Sequence, residues 1–296
     1  MDGVLVIDKP PGLTSHDVVA AVRRAVNERR IGHTGTLDPL ATGVLPLACG
    51  RATRLVRFLT GSGKDYDAAV VFGMTTDTCD VTGSETSRTD RRPSREAVEH
   101  AIASLTGSYL QTPPAHSAKK VGGQRAYELA RRNETVELTP VPVTVSRARV
   151  SAFDGNTVHV SLPCSAGFYV RAFARSLGDL VGTGACLASL RRTRSGQFTL
   201  AQALPLDGVL QTPAAAVEGA VPLDELLDSY PSRRLTADER VRVAHGQQLR
   251  SGADTPLGGS ESSAGWVRLL DSEGHLVALA TPGKDAGSLH PAVVLI

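Results

Sequence analysis

Apolar and polar positions change rhythm along the chain. Residues 3–8 carry an unbroken apolar run, Val4 to Ile7, and read as a short buried strand. Val18, Val19, Val22 and Val26 recur at helical spacing and predict a helix over 16–26, capped by Thr14 or Ser15. Residues 31–43 are rich in Gly, Thr, Asp and Pro and predict no regular element, whereas 44–49 are again apolar. Arg51, Arg54 and Arg57 lie three apart, as on one side of a basic amphipathic helix over 51–59. In 64–74 the pattern alternates, with Tyr66, Ala68, Val70 and Phe72 on one face of a strand. A polar loop is predicted at 83–93, and Ser94 caps a helix over 95–105.

Residues 106–125, with their Gly, Pro, Ser and Lys, read as an exposed excursion followed by a short helix at 126–132. Strands are predicted at 141–152 and 156–163, and a helix at 170–181 ended by Gly182 and Gly184. An Ala/Pro/Gly-rich stretch at 211–222 loosens the chain. Beyond it lie strand-like runs at 265–270 and 275–280 with a Gly/Ser-rich loop at 252–265. The division is therefore 1–228 and a small β domain over 229–296. Helices and strands mix without a βαβ rhythm, which favours an α+β fold.

Composition adds limits. A chain of 296 residues, 41% hydrophobic, suffices for one large domain and a small one without metals or disulfides. It has no apolar run long enough to predict a membrane helix, and MDGVLVIDKP reads as a first strand rather than a signal peptide. The four cysteines are scattered without zinc spacing, which points to reduced thiols in the cytoplasm and no metal site. Residues 111–200 hold 12 Lys+Arg against 5 Asp+Glu, and 201–296 hold 7 against 12. An anionic partner is expected at the basic middle.

Two familiar patterns fail. Gly61-Ser-Gly-Lys64 is followed by Asp65 and has Phe58 where a phosphate loop needs its first Gly. Gly178, Gly182 and Gly184 follow a predicted helix, not the strand of a dinucleotide fingerprint. The stretch Gly32 to Gly43, GHTGTLDPLATG, remains the most unusual one. Pro39 biases Asp38 towards an extended backbone, so its carboxylate projects from a loop between apolar strands. By residue type alone, Asp38 is either a functional group or an Asp bonded to its own turn.

The run GHTGTLDPLATGVLP resembles the signature of the TruB family of tRNA pseudouridine synthases. So, in the same order, do GVLVIDKPPGLTSHDVV, Lys64-Asp-Tyr66, TPPAHSAKKVGGQRAYELAR, CSAGFYVR and Leu190-Arg191-Arg192. The likeness covers about residues 3–225 and is weaker in the tail. It implies a pseudouridine synthase fold with a mixed, largely antiparallel central sheet, an RNA-contacting insertion at about 112–140, and a PUA-like tail.

The resemblance also implies roles. Asp38 is the carboxylate that breaks the C1′–N1 bond; a carboxylate is ordinarily charged at neutral pH and needs no activating base. Arg171 pairs with Asp38 and orients it. Tyr66 stacks on the uracil, Tyr169 and Leu190 line its pocket, and His33 fills the space the extruded base leaves. Lys119 and Lys120, with Arg125, Arg131 and Arg132, are the insertion's candidates for phosphate contact. Taken without the resemblance, Tyr66 and Leu190 fit core positions, His33 fits a turn and Arg171 a surface. The implied reaction is isomerisation of uridine 55 in the T-loop of tRNA by a monomer without cofactor, guide RNA or obligatory protein partner. An RNA-folding chaperone without the chemistry is the alternative.

Overall fold

In the computed structural model every residue is described except 118, 122, 127–128, 130–131, 133–137, 251–264 and 286, together with the side chains of 120, 121 and 125. The predicted helix at 126–132 and the Gly/Ser-rich loop thus lie mostly outside the described residues, as do Arg131 and the side chains of Lys120 and Arg125.

One large mixed sheet organises the body. Its strands include β1 (Gly3–Lys9), β2 (Ile31–His33), β3 (Thr42–Cys49) and β4 (Lys64–Phe72). A small hairpin, β5 (Met74–Thr76) with β6 (Glu85–Arg88), stands off it, and β7 (Gly107–Gln111) forms one edge. After a minor ribbon, β8 (Lys120–Val121) and β9 (Gln124–Arg125), come β10 (Val141–Val145), β11 (Arg149–Phe153), β12 (Thr157–Cys164) and β13 (Ala185–Ser195). The main path runs β1-β3-β13-β4-β12-β10-β7. Among these pairs only β3 with β13 is parallel.

Three helices cover one face: α1 (Ser15–Ala25), α3 (Arg95–Ser104) and α4 (Val170–Leu180); the short α2 (Val56–Thr60) packs with the other. A capping box starts α1. Thr14 Oγ1 accepts the Asp17 N–H at 3.1 Å while the Asp17 carboxylate accepts the Thr14 N–H at 2.9 Å. Val18, Val19 and Val22 then bury the helix against the sheet.

The tail forms its own five-stranded sheet, in the order Ser232–Arg234, Val267–Leu270, Leu276–Pro282, Ser288–Val294, Leu249–Arg250. Leu276, Leu279, Val293 and Leu295 share an apolar cluster with Val4, Val6, Val44 and Leu55 of the body. Arg51 Nη1 donates to Leu295 O at 2.6 Å and Arg54 Nη1 donates to Val294 O, tying the last strand to the body.

Several local expectations need correction. The polar stretch 83–93 contains β6, whose residues are all exposed and so show no hydrophobic alternation. Residues 51–59 split into a 3₁₀ segment, Gly50–Leu55, and α2. Residues 141–152 are two strands, and the excursion begins inside the sheet, as β7. Residues Pro213–Glu218 form a helix with Pro at its start, where a missing N–H costs nothing. Ile31–His33 is a strand, and Ser288–Val294 is a strand the pattern did not reveal.

Candidate active site

The loop between β2 and β3 carries Asp38, and α4 carries Arg171 in its first turn. The two meet side-on. Arg171 Nε–H donates to Asp38 Oδ2 at 2.8 Å, and Nη2–H donates to Oδ1 at 3.1 Å. The same guanidinium donates through Nη1 to Thr78 O at 3.0 Å and through Nη2 to His116 O at 2.9 Å. Its side chain is 7% exposed, whereas that of Asp38 is 36% exposed. The arginine is thus spent on protein, while the carboxylate keeps an open side.

A cation in the first turn of a helix faces the positive end of the helix dipole. Two carboxylates offset this. Besides Asp38, Asp80 places Oδ2 3.8 Å from Arg171 Nε from a position that is itself 7% exposed. Asp80 Oδ1 accepts from the Thr82 N–H and the Thr78 hydroxyl, both at 3.0 Å. Between Thr78 and Asp80, Cys79 takes φ +62, a left-handed conformation rare for a side chain of its kind. With that turn, both the Thr78 carbonyl and the Asp80 carboxylate reach Arg171.

Tyr66 lies on the apolar face of β4 with Ala68, Val70 and Phe72, 8% exposed, beside Leu162 and Arg192 in register. Burial raises its phenol above the ordinary tyrosine range, so it stays protonated. Burial likewise raises the Tyr169 phenol, and the Asp38 charge adds to the rise at both tyrosines. Tyr169 caps α4 and is held at its backbone by Gln111, which accepts the Tyr169 N–H at 2.8 Å and donates to its C=O at 3.1 Å. Leu190 is buried in the same apolar cluster as Tyr66.

His33 ends β2, half-buried, and meets His16 edge-on with centroids 5.2 Å apart. Burial, then the charges of His16 and Arg192, lower the His33 imidazole to about 4, so it is neutral at physiological pH. Its Nδ1 is buried without a hydrogen-bond partner among the described residues. Lys119 is half-buried, and its carbonyl accepts the Ala126 N–H at 2.8 Å within the excursion. The excursion is joined to the site by His116, through Arg171. Asp38 and Arg171 therefore meet directly, Tyr169 adjoins Arg171 at the start of α4, Tyr66 and Leu190 lie in one apolar cluster, His33 borders the Asp38 loop, and Lys119 lies on the excursion.

Sequence reasoning missed Asp80, Thr78 and Gln111. Thr76 to Gly83, TTDTCDVTG with the preceding Thr75, offered a signal: two Asp three apart among small polar residues. Also missed was the full burial of Lys9 and Arg192, 0% and 1% exposed. Lys9 Nζ donates to Leu13 O at 2.7 Å and Pro10 O at 2.9 Å, and more weakly to Pro39 O at 3.4 Å. Burial lowers its ammonium to about 8, against the opposing pull of Asp38.

Likeness to known proteins puts the chain in a class of enzyme, the pseudouridylate synthases. The model of the N-terminal domain of TruB family pseudouridylate synthases matches residues 23–170. The chain belongs to the TruB family. It is 43% identical over 300 residues, covering 100% of both chains, to the tRNA pseudouridine synthase B of Solibacter usitatus. It is 44% identical to that of Thermobifida fusca, covering 99% of this chain and 98% of the relative. Among solved structures, the H/ACA ribonucleoprotein bound to a substrate RNA containing 2′-deoxyuridine shares the fold. The TM-score there is 0.74 at 23% identity, over 99% of this chain and 85% of the other.

Proposed function

We propose that this chain isomerises uridine to pseudouridine at position 55, in the T-loop of tRNA, with Asp38 as the essential carboxylate. The reaction class follows from family membership, and the curated relatives carry tRNA in their names. The observation that carries the residue assignment is the two-point Arg171–Asp38 pair, which leaves one side of the carboxylate open.

The chemistry detaches uracil from C1′, rotates it and rejoins it through C5 with loss of the C5 proton. No electrons are gained or lost, so no redox cofactor is needed. Asp38 acts at the sugar side of the C1′–N1 bond. Arg171 holds its carboxylate in one plane, so no orientation has to be found in the transition state. Tyr66 stacks on the flipped base, and Tyr169 and Leu190 wall its pocket. His33, neutral and bordering the loop, takes the place of the extruded base. Extrusion costs about a few kcal/mol, and each aromatic stacking contact returns about 1–3 kcal/mol.

Lys119 and Lys120 neutralise phosphates of the T-arm, and the tail from residue 229 adds an RNA-binding, PUA-like domain to the catalytic body of 1–228. The enzyme works alone, as a cytoplasmic monomer without guide RNA. No helix among the described residues is long and apolar enough to cross a membrane. The test is tritium release from C5-tritiated uridine in a T-loop RNA by the purified protein. Wild type releases tritium; Asp38→Asn does not, while its RNA affinity stays within a few-fold. Release unchanged in Asp38→Asn would remove Asp38 from the mechanism. Tight tRNA binding by an inactive wild type would favour the folding chaperone.

A further inference from the structure

The segment that presents Asp38 has no regular hydrogen bonding of its own, yet every carbonyl from Gly35 to Pro39 has a donor. Arg192 Nη2 donates to Gly35 O at 3.1 Å and Nη1 to Thr36 O at 3.3 Å, while Nε donates to Val44 O at 2.7 Å where the loop rejoins the sheet. Asp38 O accepts the Ala41 N–H at 3.0 Å, and Pro39 O accepts the Gly12 N–H at 2.8 Å. The residue between these anchors, Leu37, is treated differently. Ser15 Oγ accepts the Leu37 N–H at 2.8 Å and donates to the Leu37 C=O at 3.1 Å. One hydroxyl satisfies both backbone groups of the residue that precedes Asp38.

We infer that Ser15 is a positioning residue for catalysis: its paired hydrogen bonds set the backbone direction from which the Asp38 carboxylate leaves the loop. This rests on the assignment of Asp38 proposed above.

Ser15 is 1% exposed and Leu37 is 3% exposed, so water is a poor substitute for the hydroxyl. Pairing both the N–H and the C=O fixes the rotation of Leu37 about its chain axis, and Asp38 is the next residue along it. Arg192 grips the two residues before Leu37, and Gly12 with Lys9 grips Pro39, so the chain is held on either side. Without Ser15, the freest point of the loop would lie immediately before the carboxylate.

Ser15 itself is well placed to be rigid. It is the first residue of α1, directly after the Thr14 cap, and Val18, Val19 and Val22 anchor that helix in the core. The Leu37 side chain packs into the same core, so helix and loop share both a polar and an apolar contact. Ser15, at 1% exposure, has almost no surface to offer a substrate. Its effect reaches the chemistry only through Asp38 and its bidentate partner, Arg171. A misplacement of about 1 Å at a reacting group costs on the order of 100-fold in rate.

Two variants separate hydrogen bonding from packing. Ser15→Cys keeps nearly the same volume with a weak donor and acceptor, and Ser15→Ala removes the group. Single-turnover tritium release at saturating T-loop RNA gives the chemical rate, and RNA affinity is measured alongside. The expected result is a fall of ~10–100-fold in the saturated rate for both variants, with affinity within about threefold of wild type. Ser15→Thr, which retains the hydroxyl, recovers more of the rate than Ser15→Cys.

Wild-type rates in both Cys and Ala variants overturn the inference. So does a Cys variant equal to wild type beside a slow Ala variant, because packing alone then explains the site. Loss of RNA binding and of cooperative unfolding in both variants also overturns it, making Ser15 a folding residue. Asp38→Asn run in parallel keeps the two readings apart. An active Asp38→Asn refutes the assignment of Asp38; an inactive Asp38→Asn with fully active Ser15 variants refutes only the role of Ser15.

Discussion

Arg171→Lys tests whether Asp38 needs a two-point partner or only a nearby positive charge. The guanidinium makes four donor contacts in three directions: two to Asp38 at 2.8 and 3.1 Å, one to Thr78 O at 3.0 Å and one to His116 O at 2.9 Å. An ammonium is a compact charge with three donors radiating from one atom, and cannot hold a carboxylate edge-on while reaching two carbonyls on other sides. At least one of the orienting bonds to Asp38 is lost. A hydrogen bond to a charged group contributes about 1.5–3 kcal/mol. At about 1.4 kcal/mol per decade, losing one or both bonds predicts a chemical rate ~10- to 10⁴-fold lower. RNA affinity should change little, because the arginine side chain is only 7% exposed.

The assay is single-turnover pseudouridine formation with RNA in excess, paired with an RNA-binding isotherm and a urea unfolding curve. Arg171→Met is the companion variant. It leaves Asp38 and the buried Asp80 without a cation and should cost about 3–5 kcal/mol of stability, whereas Arg171→Lys keeps the charge and most of the stability. If Arg171→Lys reacts at more than half the wild-type rate, a nearby positive charge suffices and the two-point contact is not needed. Loss of RNA affinity with a wild-type rate at saturation would instead place Arg171 against the RNA.

Three further outcomes are expected. Asp80→Asn keeps an oxygen for the Thr82 N–H but removes the charge 3.8 Å from Arg171 Nε, so the saturated rate should fall ~10-fold or more given the strength of a charge pair at that range; an unchanged rate would make Asp80 a loop brace only. His33 is lowered to about 4 from an ordinary 6.5, so the unfolded chain binds the extra proton first and stability should decline as pH falls from 6.5 towards 4. Urea midpoints across that window should show a shallower decline in His33→Gln, and equal slopes would exclude His33 as the source. Gly43→Ala should lower the unfolding midpoint sharply, because Gly43 has φ +97 and a Cβ there would lie 2.2 Å from Arg192 O; a midpoint within a degree of wild type would contradict the tight contact of β3 with β13.

Much of the site was legible because it follows from local rules or from contiguous motif. The valines of α1, the alternation of β4 and the apolar stripe of α4 each bury one face, so periodicity located them. The loop chemistry of Gly32 to Gly43 left Asp38 open between a functional group and a turn residue, while the run around it identified the family. The hairpin of β5 and β6 stayed hidden because every residue of β6 is exposed and β5, three residues long, is too short to show alternation. For Asp80 the difficulty was different: a carboxylate among threonines looks like any polar turn until Arg171 is brought beside it.

By itself, the sequence determined the α+β class, the family and the order of the main elements. These depend on the spacing of neighbours and on motifs continuous in the chain. The resemblance already implied Arg171 as the partner of Asp38; only the tertiary structure showed how the pair is made and which groups, Arg192 and Ser15 among them, hold the loop that carries it. Arg171 is 133 residues from Asp38, Arg192 is 156 from Thr36, and Ser15 is 22 from Leu37. Hydrogen bonds over such separations have no signature in local pattern. They exist because the sheet and its helices close the chain on itself, and because buried carbonyls of an irregular loop must find donors wherever the fold supplies them.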